Sequence, residues 1–299
     1  MTHYFGILRA IKDQLKGREK MKRKWKLWMI AFVLFVMADI MMQGNRAEAK
    51  KRTFTVNTKT IPCSSAYRQK PYYNKKTKQY YMINSYMKRL STTGGTLKLK
   101  KGTYTIPGTI YVPSNVKIVC ANGVKIKKTK ATGTKKVKAT KFLFQMISEE
   151  KASGKQNTGK YAASKNASIQ GNGKVIFDLG NVNGATAVFV GHASGITVNG
   201  VRFRNKKGGS YIWIEGSKNI SVQQCVFERK KDVSGLKNRM AVRLETSNQT
   251  TSDFSGKWYK KDNTVNKKIK IANNQFLGAD VGIGTTKSVV IEKNKQTKE

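Results

Sequence analysis

The sequence predicts an all-β protein, a right-handed parallel β-helix in which short strands form the successive coils of one solenoid. The first observation is a repeat: Ile196–Phe203 (ITVNGVRF) and Ile220–Phe227 (ISVQQCVF) begin 24 residues apart and share apolar residues at positions 1, 3 and 8. The second is the alternation of apolar with small or polar residues inside each copy, which is typical of strands. A repeat of roughly 20–30 residues buries its apolar face only by stacking on the next copy, which indicates a solenoid.

Copies of this pattern continue toward both ends of the chain. Ile269–Phe276 has the same spacing, and Val289–Lys295 begins another copy. Ser168–Phe177 and Val116–Ile126 are looser relatives. The period is too short for helical repeats, and the LxxLxL signature of leucine-rich repeats is absent. Coils of parallel strands are therefore the predicted architecture.

A second strand precedes the copies in the same coils. Its marker is an apolar residue six positions before the copy, namely Val190, Ile214 and Ile283. Leu244 fits the same position, but about 19 extra residues separate it from Ile269. Ser247–Lys267 is therefore predicted to be a loop inserted between two strands.

The chain before and around these coils divides by composition. Residues 50–73 are polar and are predicted to form an extended lead-in, whereas residues 74–299 form the β-helix. Asn74–Leu90 places apolar residues at helical spacing and is followed by a glycine pair, so an amphipathic helix is predicted to cap the first coil. Lys127–Lys141 and Ser148–Ser164 are predicted to be loops. No cap is recognisable at the carboxyl end, and we expect the chain to be a piece of a longer solenoid.

Residues 21–49 have the three parts of a secretory signal peptide. Met21–Lys26 is basic, Leu27–Ala38 is an apolar core, and Ala47–Ala49 is a small-residue cleavage site. Residues 1–20 are interpreted as a leader from an upstream false start. The alternative is a signal anchor that stays uncleaved. Contact with a membrane is expected only through such an uncleaved segment. The mature protein is predicted to be secreted or displayed at the cell surface.

The net charge of +43 comes from 59 basic and 16 acidic residues. Either lysine fills exposed positions without further consequence, or the protein binds a polyanion such as a uronate polysaccharide, wall teichoic acid, an anionic lipid surface or nucleic acid. Nucleic acid is excluded first, because export is predicted and no nucleic-acid-binding motif is present. We expect a monomer whose partner is an acidic polysaccharide or the anionic cell wall.

The cysteine count gives no disulfide framework. Cys63, Cys120 and Cys225 are an odd number in an exported chain, and Cys225 lies inside a repeat as a small packing residue. Neither zinc-type spacing nor the clustered aspartates of a calcium site are present. No metal and no other cofactor is expected.

Gly94–Ile118 (GGTLKLKKGTYTIPGTIYVPSNVKI) contains a glycine pair, a G-T-Y strand and a P-S-N-V turn. This segment resembles the entry segment of the pectate-lyase-like right-handed β-helix superfamily of secreted bacterial proteins. VFVGHASGITVNGVRF, WIEGSKNISVQQCVF and ADVGIGTT look like successive coils of its clostridial branch, often labelled hydrolase. The resemblance runs from Thr77 to the end of the chain. It implies the fold but does not specify the activity, because such coils serve lyases, hydrolases, epimerases and binding proteins alike.

The same resemblance implies positions for a site. Members of that branch often carry a histidine–glutamate pair near Tyr211–Trp213, a carboxylate at Glu245 and a histidine near Thr286. Glu245 matches this pattern, and His192 stands in its usual place. Tyr211, Trp213 and Thr286 differ from it.

The register of the second strands independently predicts one shared site. Val190, Ile214, Leu244 and Ile283 are aligned as inward residues, so that alternation directs their neighbours outward. The outward columns are Gly191, Glu215, Glu245 and Gly284; Phe189, Trp213, Arg243 and Gly282; and Ala187, Tyr211, Ala241 and Asp280. Because neighbouring coils lie about 4.8 Å apart, Glu215 and Glu245 are expected to stack beside Arg243 and Trp213.

Two stacked carboxyl groups are suited to general acid–base catalysis, since repulsion protonates one while Arg243 keeps the other ionised. Carboxyl groups about 5–5.5 Å apart fit a retaining glycosidase, and wider pairs fit an inverting one. Arg243 could instead clamp a uronate carboxylate or supply the cation of a lyase. Trp213, Tyr211 and Phe189 are predicted to form a flat platform for a sugar ring. The alternative is that both glutamates are surface residues paired with lysines.

Three further residues are candidates for this site. His192, the single histidine after the signal segment, is a candidate general base near the two glutamates, although a lone histidine in a turn is usually structural. Asp178 is predicted to line the same groove, and Asp280 to lie at its far edge.

These observations predict a secreted carbohydrate-active enzyme that cleaves an acidic polysaccharide by lyase or glycoside hydrolase chemistry. The alternative is a non-catalytic solenoid that binds a polyanion or a cell-wall glycan. A truncated product that does neither is the third hypothesis.

Overall fold

The structure is a computed structural model that describes residues 25, 26, 28, 29, 52–154, 158–229, 240–250, 254–283 and 286–297, with the side chains of 280 and 282–287 not described. The chain divides into two compact units, Met1–Lys50 and Lys51–Glu299. The four described residues of the first unit are helical. The rest of the predicted leader and signal peptide lies outside the described residues. In the part of the chain that is described, no helix is long and apolar enough to cross a membrane.

Strands dominate the second unit, whose described residues contain 21 of them and three helices. The first eleven strands are β1 (Arg52–Val56), β2 (Gly95–Leu99), β3 (Gly102–Ile106), β4 (Ile110–Tyr111), β5 (Val116–Cys120), β6 (Val124–Lys128), β7 (Phe142–Gln145), β8 (Ser168–Gly171), β9 (Ile176–Asp178), β10 (Thr186–Gly191) and β11 (Ser194–Asn199). The next ten are β12 (Arg202–Arg204), β13 (Ile212–Glu215), β14 (Lys218–Gln223), β15 (Val226–Glu228), β16 (Met240–Glu245), β17 (Asn266–Ala272), β18 (Gln275–Leu277), β19 (Asp280–Ile283), β20 (Thr286–Glu292) and β21 (Lys295–Thr297). The helices are α1 (Ser65–Arg68), α2 (Lys78–Leu90) and α3 (Glu149–Ser153).

Three sheets run along the solenoid, and their strands pair in parallel. Sheet A has the order β1-β2-β5-β8-β11-β14-β17-β20, and sheet B has the order β3-β6-β9-β12-β15-β18-β21. Sheet C has the order β4-β7-β10-β13-β16-β19. A regular coil contributes one strand to each sheet, and its residues pair in register with those of the next coil, as Ile196 does with Ile220 and Ile220 with Ile269. The predicted parallel β-helix is confirmed.

Stacked apolar columns fill the interior of the solenoid. On sheet B, Phe177, Phe203, Phe227 and Phe276 are register partners in sequence. The ring centroids of Phe203 and Phe227 lie 5.2 Å apart, and those of Phe227 and Phe276 lie 5.0 Å apart. Phe203, Phe227 and Phe276 are the eighth residues of their copies of the sequence repeat. The column removes large apolar surface from water in these four coils, and such burial is the main stabilising contribution to the fold.

The helix α2 covers the first coil. Its inward residues Met82, Ile83, Met87 and Leu90 are buried in the same core as sheets A and B. This confirms the predicted capping helix. The lead-in segment also contributes to the solenoid, because β1 pairs in parallel with β2 and adds a strand to the edge of sheet A.

Left-handed backbone recurs at one corner of the coils, at the amino end of the sheet A strands. The residues with positive φ at this corner include Gly94, Asn115, Asn166, Gly195, Asn219, Lys268 and Ser288. Asparagine and glycine tolerate this conformation best, whereas a lysine there is strained. The three cysteines are free, and Cys120 and Cys225 are buried in the core.

Candidate functional site

The register predicted for Phe189, Trp213 and Arg243, and for Glu215 and Glu245, is observed on sheet C. Phe189 pairs with Trp213, Trp213 with Arg243, and Glu215 with Glu245. Asp280 pairs with Met240 rather than with Ala241, because the register shifts between Met240 and Val242. The side chain of Asp280 lies outside the described residues, so its expected place at the edge of the groove stays a prediction.

A loop covers the outer face of these columns. This cover loop, residues 246–265, joins β16 to β17 and corresponds to the predicted insertion; residues 251–253 lie outside the described part. Phe254 stacks on Phe189 with ring centroids 4.2 Å apart and an angle of 18° between planes. Trp258 and Tyr259 pack on Phe189 from the same side. The cover loop thus buries the outer face of sheet C with its own aromatic rings.

The flat sugar platform expected from Phe189, Trp213 and Tyr211 is therefore not exposed. Phe189 is 0% exposed and Trp213 5% exposed, so rings of the cover loop occupy the space where a ligand would stack. Tyr211 does not point outward. Its ring packs inside the solenoid on Phe203, and its hydroxyl donates a hydrogen bond to the carbonyl of Glu228. The alternation breaks at Tyr211 because it precedes β13 and belongs to the turn that enters it.

Glu215 is also covered, although it points outward as predicted. Its side chain is fully buried beneath Tyr259. Burial, together with the negative charge of Glu215, raises the pKa of the Tyr259 phenol. Glu215 has no access to solvent in this arrangement, so a substrate cannot reach it while the cover loop is in place.

His192 anchors the cover loop. Its Nε2 lies 2.6 Å from the carbonyl oxygen of Lys260 and 3.1 Å from Oγ of Ser247. Because a carbonyl oxygen only accepts, Nε2 carries the proton and donates it to Lys260. Burial lowers the pKa of His192, against opposing contributions from Lys260 and Asp262. The expected general base is thus a buried donor without access to solvent.

Ser247, His192 and Asp262 do not form a catalytic triad. The nearest Asp262 oxygen, Oδ1, is 4.0 Å from the same Nε2 atom that lies next to Ser247. A triad needs the carboxylate on the other ring nitrogen, where it sets the tautomer that accepts a proton from serine. Here the hydroxyl of Ser247 donates to Lys260 O at 2.8 Å. The cluster holds the loop in place and has no activated nucleophile.

A second segment supports the cover loop from the side. The backbone of Thr158 donates to Trp258 O at 2.6 Å and accepts from Lys260 N at 3.1 Å. Tyr161, which has a φ of 63°, donates its hydroxyl proton to Val265 O at 2.9 Å. Such positive φ values at large residues persist only where the surroundings fix them. The two segments form one layer over His192.

An open pocket of about 390 Å³ remains beside this layer. The polar groups of its wall are Lys141, Thr186, Ser210, Arg243, Glu245 and Ser255, and its apolar groups are Phe142, Trp213, Met240 and Phe254. The volume is within the range of small-ligand sites. Of the four predicted catalytic residues, Arg243 and Glu245 line this pocket.

Arg243 and Glu245 are held together at the pocket wall. Arg243 Nε lies 2.5 Å from Glu245 Oε1, and the side chains keep 21% and 15% of their surface exposed. The guanidinium also lies over the indole of Trp213, with Cζ 4.3 Å from the ring centroid. A planar cation fixed on both sides in this way is preorganised to meet an anion that enters the pocket.

Asp178 lies elsewhere, which corrects the expectation that it lines the groove. It ends β9 on sheet B, where Lys125 Nζ is 3.0 Å and Arg204 Nε is 3.4 Å from its carboxylate. Burial alone would raise its pKa, but hydrogen bonds from Asn205, Gly180 and Lys125 hold the pKa below its usual range. These contacts are those of a structural ion network.

Sequence reasoning missed two groups of residues. Lys141 and Phe142 line the pocket, whereas the sequence predicts Lys141 only as the last residue of a loop and gives Phe142 no role. Phe254, Trp258 and Tyr259 cover sheet C, and their density in the predicted insertion was a signal that it packs on an apolar face. Among the described residues there is no group of three or more His, Cys, Asp and Glu that could hold a metal.

Comparison with known proteins supports the fold. No family profile matches the chain, and no curated protein matches it either. Two solved structures of PfbA, a surface adhesin of Streptococcus pneumoniae, are similar to it. They share 14% and 13% sequence identity over 66% and 73% of this chain, with TM-scores of 0.50 and 0.52. The chain spans 45% and 57% of those structures, about half their length.

Proposed function

We propose that the protein binds an acidic polysaccharide, with one uronate residue in the pocket beside Arg243, and that it acts as a binding solenoid. The observation that carries this proposal is the Arg243–Glu245 pair on Trp213, the part of the predicted site that reaches solvent. Glu215 and His192, which acid–base chemistry would use, are buried beneath the cover loop.

The chemistry of the pocket wall matches a uronate. Arg243 and Lys141 supply positive charge for a carboxylate, and Glu245 accepts hydrogen bonds from sugar hydroxyls. Ser210 and Ser255 can both donate and accept. Phe142, which is half-buried, presents apolar surface to the carbon face of a ring. The similarity in fold to a surface adhesin agrees with a binding role at a cell surface.

Calorimetric titration with digalacturonate tests the pocket. The variant Arg243→Gln is expected to weaken binding by about ten- to a hundredfold, because a charge-assisted hydrogen bond is lost. Arg202→Gln is the matched control, since Arg202 is also paired with a glutamate, Glu228, but on sheet B. Equal affinities of the two variants would exclude the pocket, and circular dichroism confirms that both remain folded.

A catalytic role is the second candidate, and the pairing of Glu215 with Glu245 on adjacent strands favours it. It requires the cover loop to move away from Glu215. Reducing ends and unsaturated-uronate absorbance are measured over a panel of acidic glycans. Turnover by the intact protein that falls at least about a hundredfold in the variant Glu245→Gln would establish an enzyme. If the intact protein shows no turnover, the binding role stands.

A further inference from the structure

Two lysine-rich segments that are far apart in the sequence lie side by side at the capped end of the solenoid. One precedes and begins α2, and the other is the loop between β6 and β7, residues 129–141. Asn74 joins them, because its Nδ2 donates to the carbonyl of Thr132 at 2.9 Å. Gly133 also faces Asn74, since a Cβ added at Gly133 would lie 3.1 Å from Asn74 Oδ1. Tertiary structure thus merges two basic segments into one surface.

This surface, the lysine patch, is defined by exposed lysines of the two segments. They are Lys75, Lys76, Lys78, Lys130, Lys135, Lys136, Lys138 and Lys141. Neither residues 70–78 nor residues 127–141 contain an aspartate or glutamate. Within the described residues, none of these lysines forms an ion pair. Elsewhere the structure does pair its cations, as Arg202 with Glu228 and Lys270 with Glu292.

The loop that carries most of the patch is held rigidly at its base by a buried lysine. Lys128 Nζ donates to the carbonyl oxygens of Pro107, Gly108 and Phe142, each at 2.9 Å. Thr140 also donates its backbone N–H to Pro107 O at 3.1 Å. Together with Asn74, these contacts fix both the base and the middle of the loop. The patch is therefore presented in a defined place, which lowers the entropy cost of binding.

The lysine patch and the pocket share Lys141. Lys141, the last residue of the loop, lines the pocket together with its neighbour Phe142. From Lys141 the loop runs back through Lys138, Lys136 and Lys135 to Thr132, whose carbonyl accepts the hydrogen bond from Asn74. The pocket holds polar groups suited to one sugar residue, whereas the patch holds charge alone.

We propose that the lysine patch binds a linear polyuronate chain beyond the one sugar residue that occupies the pocket. This inference rests on the proposed function and names its ligand as a polymer rather than a short oligosaccharide. Lysine ammonium groups act as hydrated point charges without the fixed fork of arginine. The patch therefore contributes affinity along the polymer, and the pocket contributes recognition of the sugar.

The test compares two quadruple variants in the full chain. The first removes charge from patch lysines that do not line the pocket: Lys75→Ser, Lys76→Ser, Lys135→Ser and Lys136→Ser. The second removes equal charge from exposed lysines on or beside sheet A: Lys98→Ser, Lys100→Ser, Lys117→Ser and Lys165→Ser. Binding of polygalacturonate, digalacturonate and inorganic polyphosphate is titrated at several salt concentrations.

The patch variant is expected to bind polygalacturonate about tenfold more weakly and to reduce the slope of log K against log salt by about 2–3. The sheet A variant should change the affinity by less than about twofold, and digalacturonate binding should be unchanged in both variants. Equal losses in the two variants would overturn the proposal, because net charge alone would then explain binding. Polyphosphate that binds the intact protein as tightly as polygalacturonate would overturn it as well.

Failure of the proposed function gives a different result. If Arg243→Gln leaves binding of polygalacturonate and digalacturonate unchanged while the patch variant weakens polymer binding, the pocket is wrong and the patch stands as a polyanion surface alone. If Arg243→Gln weakens both ligands and the patch variant weakens neither, the pocket stands and the patch is wrong.

Discussion

The outer faces of sheets A and C are built by the same alternation but differ in exposure. On sheet A the outward residues Thr197, Ser221 and Lys270 are register partners and keep contact with solvent. On sheet C the partners Phe189 and Trp213 also point outward, yet both are buried. The difference is the cover loop, whose aromatic rings pack on sheet C. Outward direction in a solenoid therefore does not establish access to ligand.

The outer faces of sheets A and C also contribute to stability in different ways. On sheet C, the outer side chains form a second apolar cluster that adds to the interior column. On sheet A, the outer side chains make polar contacts at the surface, such as the ion pair of Lys270 with Glu292, and bury little apolar area. Substitutions on the two faces should therefore differ in size and in cause.

The largest expected effect is at Phe189. The variant Phe189→Ala should lower the free energy of unfolding by about 3–5 kcal/mol, because it leaves a cavity between Phe254, Trp213 and sheet C. Chemical denaturation measures this change. The control Thr197→Ala, at an outward position of sheet A, should change stability by less than about 0.5 kcal/mol. A small loss at Phe189 would show that the cover loop is not packed as described.

A smaller effect is expected from the pH dependence at His192. Burial lowers its folded-state pKa below the ordinary value, so the unfolded chain binds the proton more readily. Stability should consequently fall as pH drops from about 6.5 toward the folded pKa, by at most about 1.4 kcal/mol per pH unit. Asp262 titrates lower, because hydrogen bonds from Thr264 and the charge of His192 outweigh the effect of burial on its pKa.

The variant His192→Asn isolates this contribution. Asparagine accepts the φ of 50° found at this position. The variant should be less stable near neutral pH but should lose the stability change between pH 6.5 and the folded pKa. An unchanged pH profile would mean that another group produces it.

The smallest effect concerns the backbone of sheet A. Lys268 has a φ of 53° at the corner where most of the other coils use asparagine or glycine. Lys268→Asn should raise the free energy of unfolding by about 0.5–1 kcal/mol, since asparagine is less strained in this conformation. Its neighbour Lys267, which has no positive φ, is the control, and Lys267→Asn should not stabilise. A gain at both positions would point to reduced charge repulsion instead.

Much of the fold follows from local pattern. The spacing of Ile196, Ile220 and Ile269 predicts the pairing of coils because identical positions must stack to bury their apolar faces. The same register predicts that Glu215 and Glu245 are neighbours on sheet C, which the strand pairing confirms. The position of the insertion after Glu245 was also predictable, since the repeat length changes there.

Access to these residues could not be predicted in the same way. Whether Glu215 meets solvent depends on where Tyr259 lies, and Tyr259 is in a loop without a repeat. Tyr211 was assigned to the outer face by counting back along the strand, but it lies before β13, where alternation no longer holds. Asp178 ends a strand of sheet B, whereas the predicted groove lies on sheet C. Counting residues along one strand does not show to which sheet that strand belongs.

The sequence by itself determined the coil, its helical cap and the vertical order of Ile196, Ile220 and Ile269, because these depend on local spacing of apolar residues along the chain. Tertiary structure alone decided that the cover loop buries Phe189, Glu215 and His192, and that Asn74 brings the lysines around it next to residues 129–141. Both depend on contacts between segments of unrelated sequence, and such contacts are selected by shape and hydrogen bonding across the folded molecule rather than by any repeat.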